Sequence, residues 1–112
     1  MLPRQERLTR NGEFREVRRR GRRYTATGLV VYFLPGRAVA RVGFRVPRRV
    51  GTAVVRNRVR RLLREAYRQL RAEACAGDYV VIAREESAGM GILELREALR
   101  EVLKKAEADA GN

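Results

Sequence analysis

Apolar residues along this chain recur first every second position and then every third or fourth, and the changes of period mark its elements. In residues 38–46 the alternation is strict. Ala40, Val42, Phe44 and Val46 share one side, while Val39, Arg41, Gly43 and Arg45 share the other. This predicts a strand with one buried face and one basic face. Residues 28–34, Gly-Leu-Val-Val-Tyr-Phe-Leu, are a β-rich run that ends at the turn signal Pro35-Gly36. Upstream, Asn11 is placed to cap a short helix reaching about Arg20, with Phe14 and Val17 on one side and Gly21 as its stop. After Thr52, an N-cap candidate, the period becomes helical. Val55, Val59, Leu62, Leu63, Ala66, Tyr67 and Leu70 fall within an arc of about 140°. Ala76-Gly77 reads as the end of that helix, and residues 78–83 as a further strand. Residues 92–108 form a last helix with Ile92, Leu95, Leu99, Val102, Leu103 and Ala106 as its stripe, supported by a Glu101/Lys105 pair. The order is helix, strands, helix, strand, helix. Helices packed on one sheet, an α+β class, fit that order better than a doubly wound fold.

The second helix carries another stripe opposite its apolar one. Asn57, Arg60, Arg61, Arg64, Arg68 and Arg71 fall between about 160° and 260°, with Arg56 and Arg58 on the flanks. Arginines at 56, 60, 64 and 68 stand one above another. Each such like-charged pair costs a few tenths of a kcal/mol. Only Glu65 offers relief, by pairing with Arg61 or Arg68. The bland reading is a solvated charged face. A face of one sign, made of arginine throughout, favours an anionic partner instead.

Charge strengthens that preference. The 112 residues include 26 basic and 13 acidic ones, a net +13, and only two of the basic residues are lysine. Residues 1–71 hold 21 basic and 4 acidic side chains, whereas residues 72–112 hold 5 and 9. An arginine-rich half beside a mildly acidic one is the footprint of a polyanion binder. Arginine suits phosphate because its planar fork donates paired hydrogen bonds. No apolar run is long enough to span a bilayer and no signal peptide opens the chain, so a cytoplasmic protein without a membrane partner is expected. The length fits one domain over 1–112, with a basic, flexible tail at 1–9 and a flexible end at 109–112. Cys75 is the only cysteine and histidine is absent, so neither a disulfide nor a zinc site is expected.

The residues 41–46, Arg-Val-Gly-Phe-Arg-Val, then Arg48-Arg49-Val50-Gly51, then 53–68, Ala-Val-Val-Arg-Asn-Arg-Val-Arg-Arg-Leu-Leu-Arg-Glu-Ala-Tyr-Arg, carry a resemblance. Their pattern resembles the signature of the bacterial ribonuclease P protein subunit family. Arg7-Leu8 before Asn11-Gly12-Glu13-Phe14, Gly21, Tyr32 and Asp78-Tyr79-Val80-Val81-Ile82-Ala83-Arg84 fall in register, so the likeness spans roughly residues 4–105. It implies an α-β-β-β-α-β-α order with a four-stranded mixed sheet and a left-handed βαβ crossover. The further strand would lie around residues 22–27.

The resemblance also implies partners. Members of this family assist a catalytic RNA that removes the 5′ leader of precursor tRNA in a magnesium-dependent cut. By resemblance, Arg56, Asn57, Arg58, Arg60, Arg61, Arg64 and Arg68 would hold the catalytic RNA. Phe14, Arg18, Tyr32 and Arg45 would hold the single-stranded leader, and Arg48 and Arg49 would add basic contacts. Magnesium would be held by the RNA, the protein would bind no metal or other cofactor, and no protein partner is implied. Two positions depart from the pattern: Arg18 stands where a second cleft aromatic is usual, and Leu29 where phenylalanine is. Arg18 can still stack on a base through its guanidinium plane. On the residues alone Phe14, the only large apolar residue of a short helix, reads more readily as a core anchor. A protein nuclease would need histidines or clustered carboxylates. The basic half offers only Glu6, Glu13, Glu16 and Glu65, read as surface charges or ion-pair partners. A general RNA-binding or ribosome-associated protein would explain the charge and leave the motif unexplained.

Overall fold

The computed structural model describes residues 2–110. Its main elements are α1 (Asn11–Arg20), β1 (Arg22–Ala26), β2 (Leu29–Leu34), β3 (Ala40–Arg45), α2 (Ala53–Leu70), β4 (Gly77–Ala83) and α3 (Ile92–Ala110). The order is the expected one. The sheet runs β1-β2-β4-β3, antiparallel except for the β3/β4 pair, which is parallel and joined through α2.

The sheet has two unequal faces. Leu29, Val31 and Phe33 of β2, Tyr79, Val81 and Ala83 of β4, and Val42 of β3 meet both long helices. Val59, Leu63, Ala66 and Tyr67 of α2 and Leu95, Leu99, Val102 and Leu103 of α3 complete that core. These are the residues of the two helical stripes, each deep enough in period to bury one side. Among the described residues the opposite face has α1 as its only long element. There Phe14 and Val17 pack with Leu8 and Val80, and Tyr32, Leu34 and Ile82 border them half-buried. Gly43 makes this close approach possible, because a Cβ at that position would stand 2.3 Å from Phe14 Cζ. A sheet covered on one side and half-covered on the other leaves a groove beside α1.

Several local features differ from the sequence-based expectation. Asn11 does not cap α1. Arg10 takes the N-cap position and its backbone N–H donates to Glu13 Oε1 at 3.4 Å, which frees Asn11 for another contact. The second helix stops at Leu70 rather than near Ala76, because its last apolar anchor is Leu70 and a short 3-10 turn, Arg71–Glu73, follows. Gly77, at φ +145°, then opens β4 in a conformation few other residues adopt. The N-terminal stretch, expected as a loose tail, lies along β3: Arg7 bridges Val42 and the Leu8 N–H donates to the Val42 carbonyl at 2.9 Å. Met1 lies outside the described residues, as do Gly111 and Asn112 of the expected C-terminal end. Asp109 of that end accepts a 2.6 Å hydrogen bond from the Tyr24 hydroxyl.

Candidate nucleic-acid interface

Thr52 starts α2 as expected, its Oγ1 accepting from the Val55 N–H at 3.3 Å. The arginine stripe then emerges opposite the core, and its members are not equivalent. Arg68 is engaged by Glu65 through two bonds of 2.8 and 2.6 Å. The hydrogen bonds from Arg68 and then Gln69 hold the Glu65 carboxyl down at about 2. Arg60 donates to Asn57 Oδ1 at 2.8 Å, and Arg71 reaches Glu6 at 2.6 Å. Arg58 turns to the other flank and donates to the carbonyls of Ala88 and Met90. Arg56 is half-buried, with its Nε lacking a partner among the described residues. Arg61 and Arg64 are exposed and make no hydrogen bond or ion pair among the described residues. Arg48 and Arg49, in the short turn before α2, are exposed in the same way.

On the groove side the two aromatic rings named from the sequence lie under guanidinium groups. Arg45 sits 3.9 Å above the centroid of Phe14 and donates to Asn11 Oδ1 at 2.8 Å. Arg18 stands 5.6 Å from the centroid of Tyr32. Phe14 is buried and is therefore both a core anchor and the support of an arginine plane. Tyr32 is half-buried.

The sequence reading gave β3 a basic outer face, and the structure corrects this for Arg41. Its Nε and Nη2 donate to the two oxygens of Asp78 at 2.8 Å each, and its Nη1 to Glu13 at 2.9 Å. Asp78 is 3% exposed and Arg37 reaches it from the surface at 3.3 Å. The Asp78 hydrogen bonds raise the Arg41 pKa further above its already high ordinary value. One guanidinium thus ties α1, β3 and β4 together. Sequence alone showed an Arg in one strand and an Asp opening another; only the β3/β4 register, in which Arg41 opposes Asp78, makes them partners.

All four carboxylates of the basic half are held by arginines: Glu6 by Arg71, Glu13 by Arg41, Glu16 by Arg19 and Arg20, and Glu65 by Arg68. Among the described residues no three His, Cys, Asp or Glu side chains gather as a metal-holding group. No helix among them is long and apolar enough to cross a membrane. A cleft of about 590 Å³ is lined by residues of the N-terminal stretch, β3 and α2, with Phe14 of α1. It was not legible in the sequence, because the N-terminal stretch with Arg7 and Thr9, and the strand with Phe44, which line it, lie far apart in the chain.

Known proteins share this sequence and architecture. A family model described as Ribonuclease P matches residues 2–107. The ribonuclease P protein component of Geobacillus thermodenitrificans is 42% identical over 103 residues, covering 89% of this chain and 85% of that protein. That of Shouchella clausii is 38% identical over 109 residues, covering 95% and 89%. Among solved structures, a Staphylococcus aureus RNase P protein mutant with defective mRNA degradation activity is similar with a TM-score of 0.85 at 30% identity, covering 92% of this chain and 89% of that one. The RNase P protein from Thermotoga maritima is similar with a TM-score of 0.80 at 30% identity, covering 89% and 96%. With a match over nearly its whole length, in sequence and in fold, the chain belongs to the ribonuclease P protein family.

Proposed function

We infer that this chain is the protein subunit of ribonuclease P and acts with a catalytic RNA in the endonucleolytic maturation of tRNA 5′ ends. The observation that carries this is the family match over residues 2–107. Within that role, α2 is the surface for the RNA subunit. Arg61 and Arg64 are its cations without an ion pair among the described residues, Arg60, Asn57 and Arg68 flank them, and Arg48 and Arg49 extend the same charge. Arg58 and Arg56 sit at its edge, and Arg58 also braces the turn before α3. The groove beside α1 takes the single-stranded leader of precursor tRNA. There Tyr32 offers a ring, and Arg45 and Arg18 offer guanidinium planes backed by Phe14 and Tyr32. Stacking and charge without base-edge readout suit a substrate whose leader varies.

The chemistry belongs to the RNA. Histidine is absent from the sequence, and the carboxylates of the basic half are committed to arginines. Magnesium is held by the RNA, and the protein lowers the amount required by adding positive charge where phosphates crowd. Precursor tRNA should therefore be cut by the RNA with the protein, more slowly by the RNA alone at higher magnesium, and not at all by the protein alone. Robust cleavage by RNA-free protein would sink this reading. A protein that left cleavage by the RNA unchanged would point to a general RNA binder.

Tyr32→Ala separates the two surfaces. It should weaken precursor binding by the assembled enzyme by about 1–3 kcal/mol, the value of one stacked base, and leave mature tRNA binding nearly unchanged. Thermal unfolding of the same variant is the control. An equal loss for both tRNAs, or a large fall in stability without a selective defect, removes Tyr32 from the leader surface.

A further inference from the structure

The first turn of α1 contains a chemically labile pair. Asparagine followed by glycine is the sequence in which a side-chain amide gives way most readily to a carboxylate. The glycine nitrogen attacks the amide carbon, and no Cβ beside that nitrogen hinders it. Asn11-Gly12 is that sequence, and both residues are exposed. A Cβ at Gly12 would meet nothing within 4 Å, so the nucleophile stands in open space.

Place in the helix matters as much as sequence. The first N–H groups of a helix have no acceptor one turn back. Those of Glu13 and Phe14 both find the Arg10 carbonyl, at 3.0 and 3.2 Å, whereas that of Gly12 has no acceptor among the described residues. α1 is 10 residues long, and a helix of that length holds its first turn weakly. The electrophile is held by a cation. Arg45 Nη2 donates at 2.8 Å to Asn11 Oδ1, the oxygen that takes up negative charge when the amide carbon is attacked. Arg45 itself is fixed over Phe14 and forms no ion pair among the described residues. Asn57 is the contrast within the same chain. Its Oδ1 also accepts from an arginine, Arg60, at 2.8 Å, but Arg58 follows it and both lie inside the long helix α2.

We propose that Asn11 is a site of spontaneous deamidation, promoted by Arg45, and that the carboxylate it leaves pairs with Arg45 and withdraws that cation from the groove beside α1. The Gly12 nitrogen, its proton taken by hydroxide, bonds to Asn11 Cγ. The Cγ–Nδ2 bond breaks, and Nδ2 leaves as ammonia with a proton from water. Water then opens the cyclic imide at either carbonyl, which gives an aspartyl or an isoaspartyl linkage. Water is consumed and ammonia released, with no change of oxidation state. The aspartyl product keeps an oxygen in the Oδ1 position and turns a neutral contact into an ion pair. The isoaspartyl product inserts a main-chain carbon shortly before Phe14, the anchor of α1. The consequence for RNA rests on the leader-groove role proposed above; the chemistry does not.

The full chain is aged at mildly alkaline pH and digested with trypsin, which releases residues 11–15 between Arg10 and Arg15. Mass and chromatography of that peptide should show both acid linkages accumulating at position 11. Cleavage after glutamate leaves Asn57 in residues 17–65, where it should remain an amide. Gly12→Ala adds a methyl in open space, strengthens the helix and should all but abolish the conversion. Arg45→Ala should slow it severalfold, less than the effect of about a hundredfold for an enclosed oxyanion donor. Asn11→Asp reads the consequence. The salt slope of precursor binding by the assembled enzyme should fall by roughly 0.7, the value of one phosphate contact on a single strand. Mature tRNA binding should not change, and the melting temperature should hold or rise, because a carboxylate complements the helix N-terminus. An Asn11 amide that survives ageing as well as Asn57 overturns the proposal. So does Arg45→Ala ageing at the wild-type rate, or an Asn11→Asp enzyme that binds precursor as the wild type does. If the wild-type enzyme itself shows no preference for precursor over mature tRNA, the leader-groove reading fails, while the peptide map still decides the deamidation.

Discussion

Arg41→Ala should cost the fold about 3 kcal/mol, more than any change to an exposed arginine of this protein. Removing one partner of a buried ion pair leaves the other as an uncompensated charge, and the usual penalty is about 3–5 kcal/mol. Here Asp78 would be left with Arg37 alone at 3.3 Å, which places the loss at the lower end. Glu13 would lose its partner too, and α1 its tie to the sheet. For a domain of this size the melting temperature should fall by roughly 10–15 °C. Arg41→Lys should recover only part of this, because an ammonium cannot bridge two carboxylates with a fork. A fall of a degree or two would mean that the network contributes little. The acid limb gives a second reading of the same contact. Burial pushes the Glu13 carboxyl up, but its hydrogen bonds from Arg41 and the Arg10 N–H, with the charge of Arg41, outweigh this and leave it below its ordinary 4.5. A carboxyl lowered in the folded state stabilises fully above its unfolded pKa, and that stability is lost as pH falls through the folded value. Wild-type stability should therefore decline below about pH 4.5 partly through Glu13, and this component should shrink in Arg41→Ala, which leaves the backbone hydrogen bonds of Glu13 in place.

Replacing Arg60, Arg61 and Arg64 together by alanine should have the opposite profile. If each neutralises one phosphate, the salt slope of RNA-subunit binding falls by about 2–3 units, and affinity at roughly 0.1 M salt drops by about a hundredfold or more. Folding should not suffer. Arg61 and Arg64 lie in solvent, Arg60 is half-buried and, among the described residues, its side chain bonds only to Asn57, and Val59, Leu63, Ala66 and Tyr67 keep the core side of α2. Alanine is the stronger helix former, and the like-charge crowding is relieved. Melting temperature should hold or rise slightly while binding collapses. An unchanged slope with a lower melting temperature would make these arginines structural. Binding titrations across salt, with thermal unfolding on the same sample, separate the two outcomes.

The helical period explains why α2 could be read from sequence and β1 could not be read as directly. A strong 3.6-residue repeat places the core stripe and the arginine stripe of α2 without knowledge of neighbours. β1 is an edge strand with Arg22, Arg23 and Thr25 exposed, so its apolar signal reduces to Tyr24 and Ala26, and only the family resemblance placed it. Alternation in β3 correctly separated Val42 from Arg41, but it could not tell that α1 covers the side on which Arg41 lies. What a face meets is a property of topology, and it turned an apparent cationic surface into a buried clamp. Arg58 shows the same limit on a helix. Its position on the flank was legible, whereas the Ala88 and Met90 carbonyls that receive it come from a turn thirty and more residues later. Asn11 was placed as a cap on local grounds and instead steadies Arg45, a partner set by the sheet.

The strand order β1-β2-β4-β3 also has a consequence in time. A ribosome releases this chain from its N-terminus, so β1, β2, β3 and the whole arginine helix emerge while β4, the strand that joins β2 to β3, is still unmade. Until Gly77–Ala83 is available, β3 has no strand to pair with, and α2 has only half a floor beneath it. The most basic 71 residues therefore spend the longest nascent interval without a sheet to align their guanidinium groups. The insertion of one central strand late in translation converts a diffuse polycation into an ordered cationic surface, and a chain stopped before it would carry the charge without the geometry.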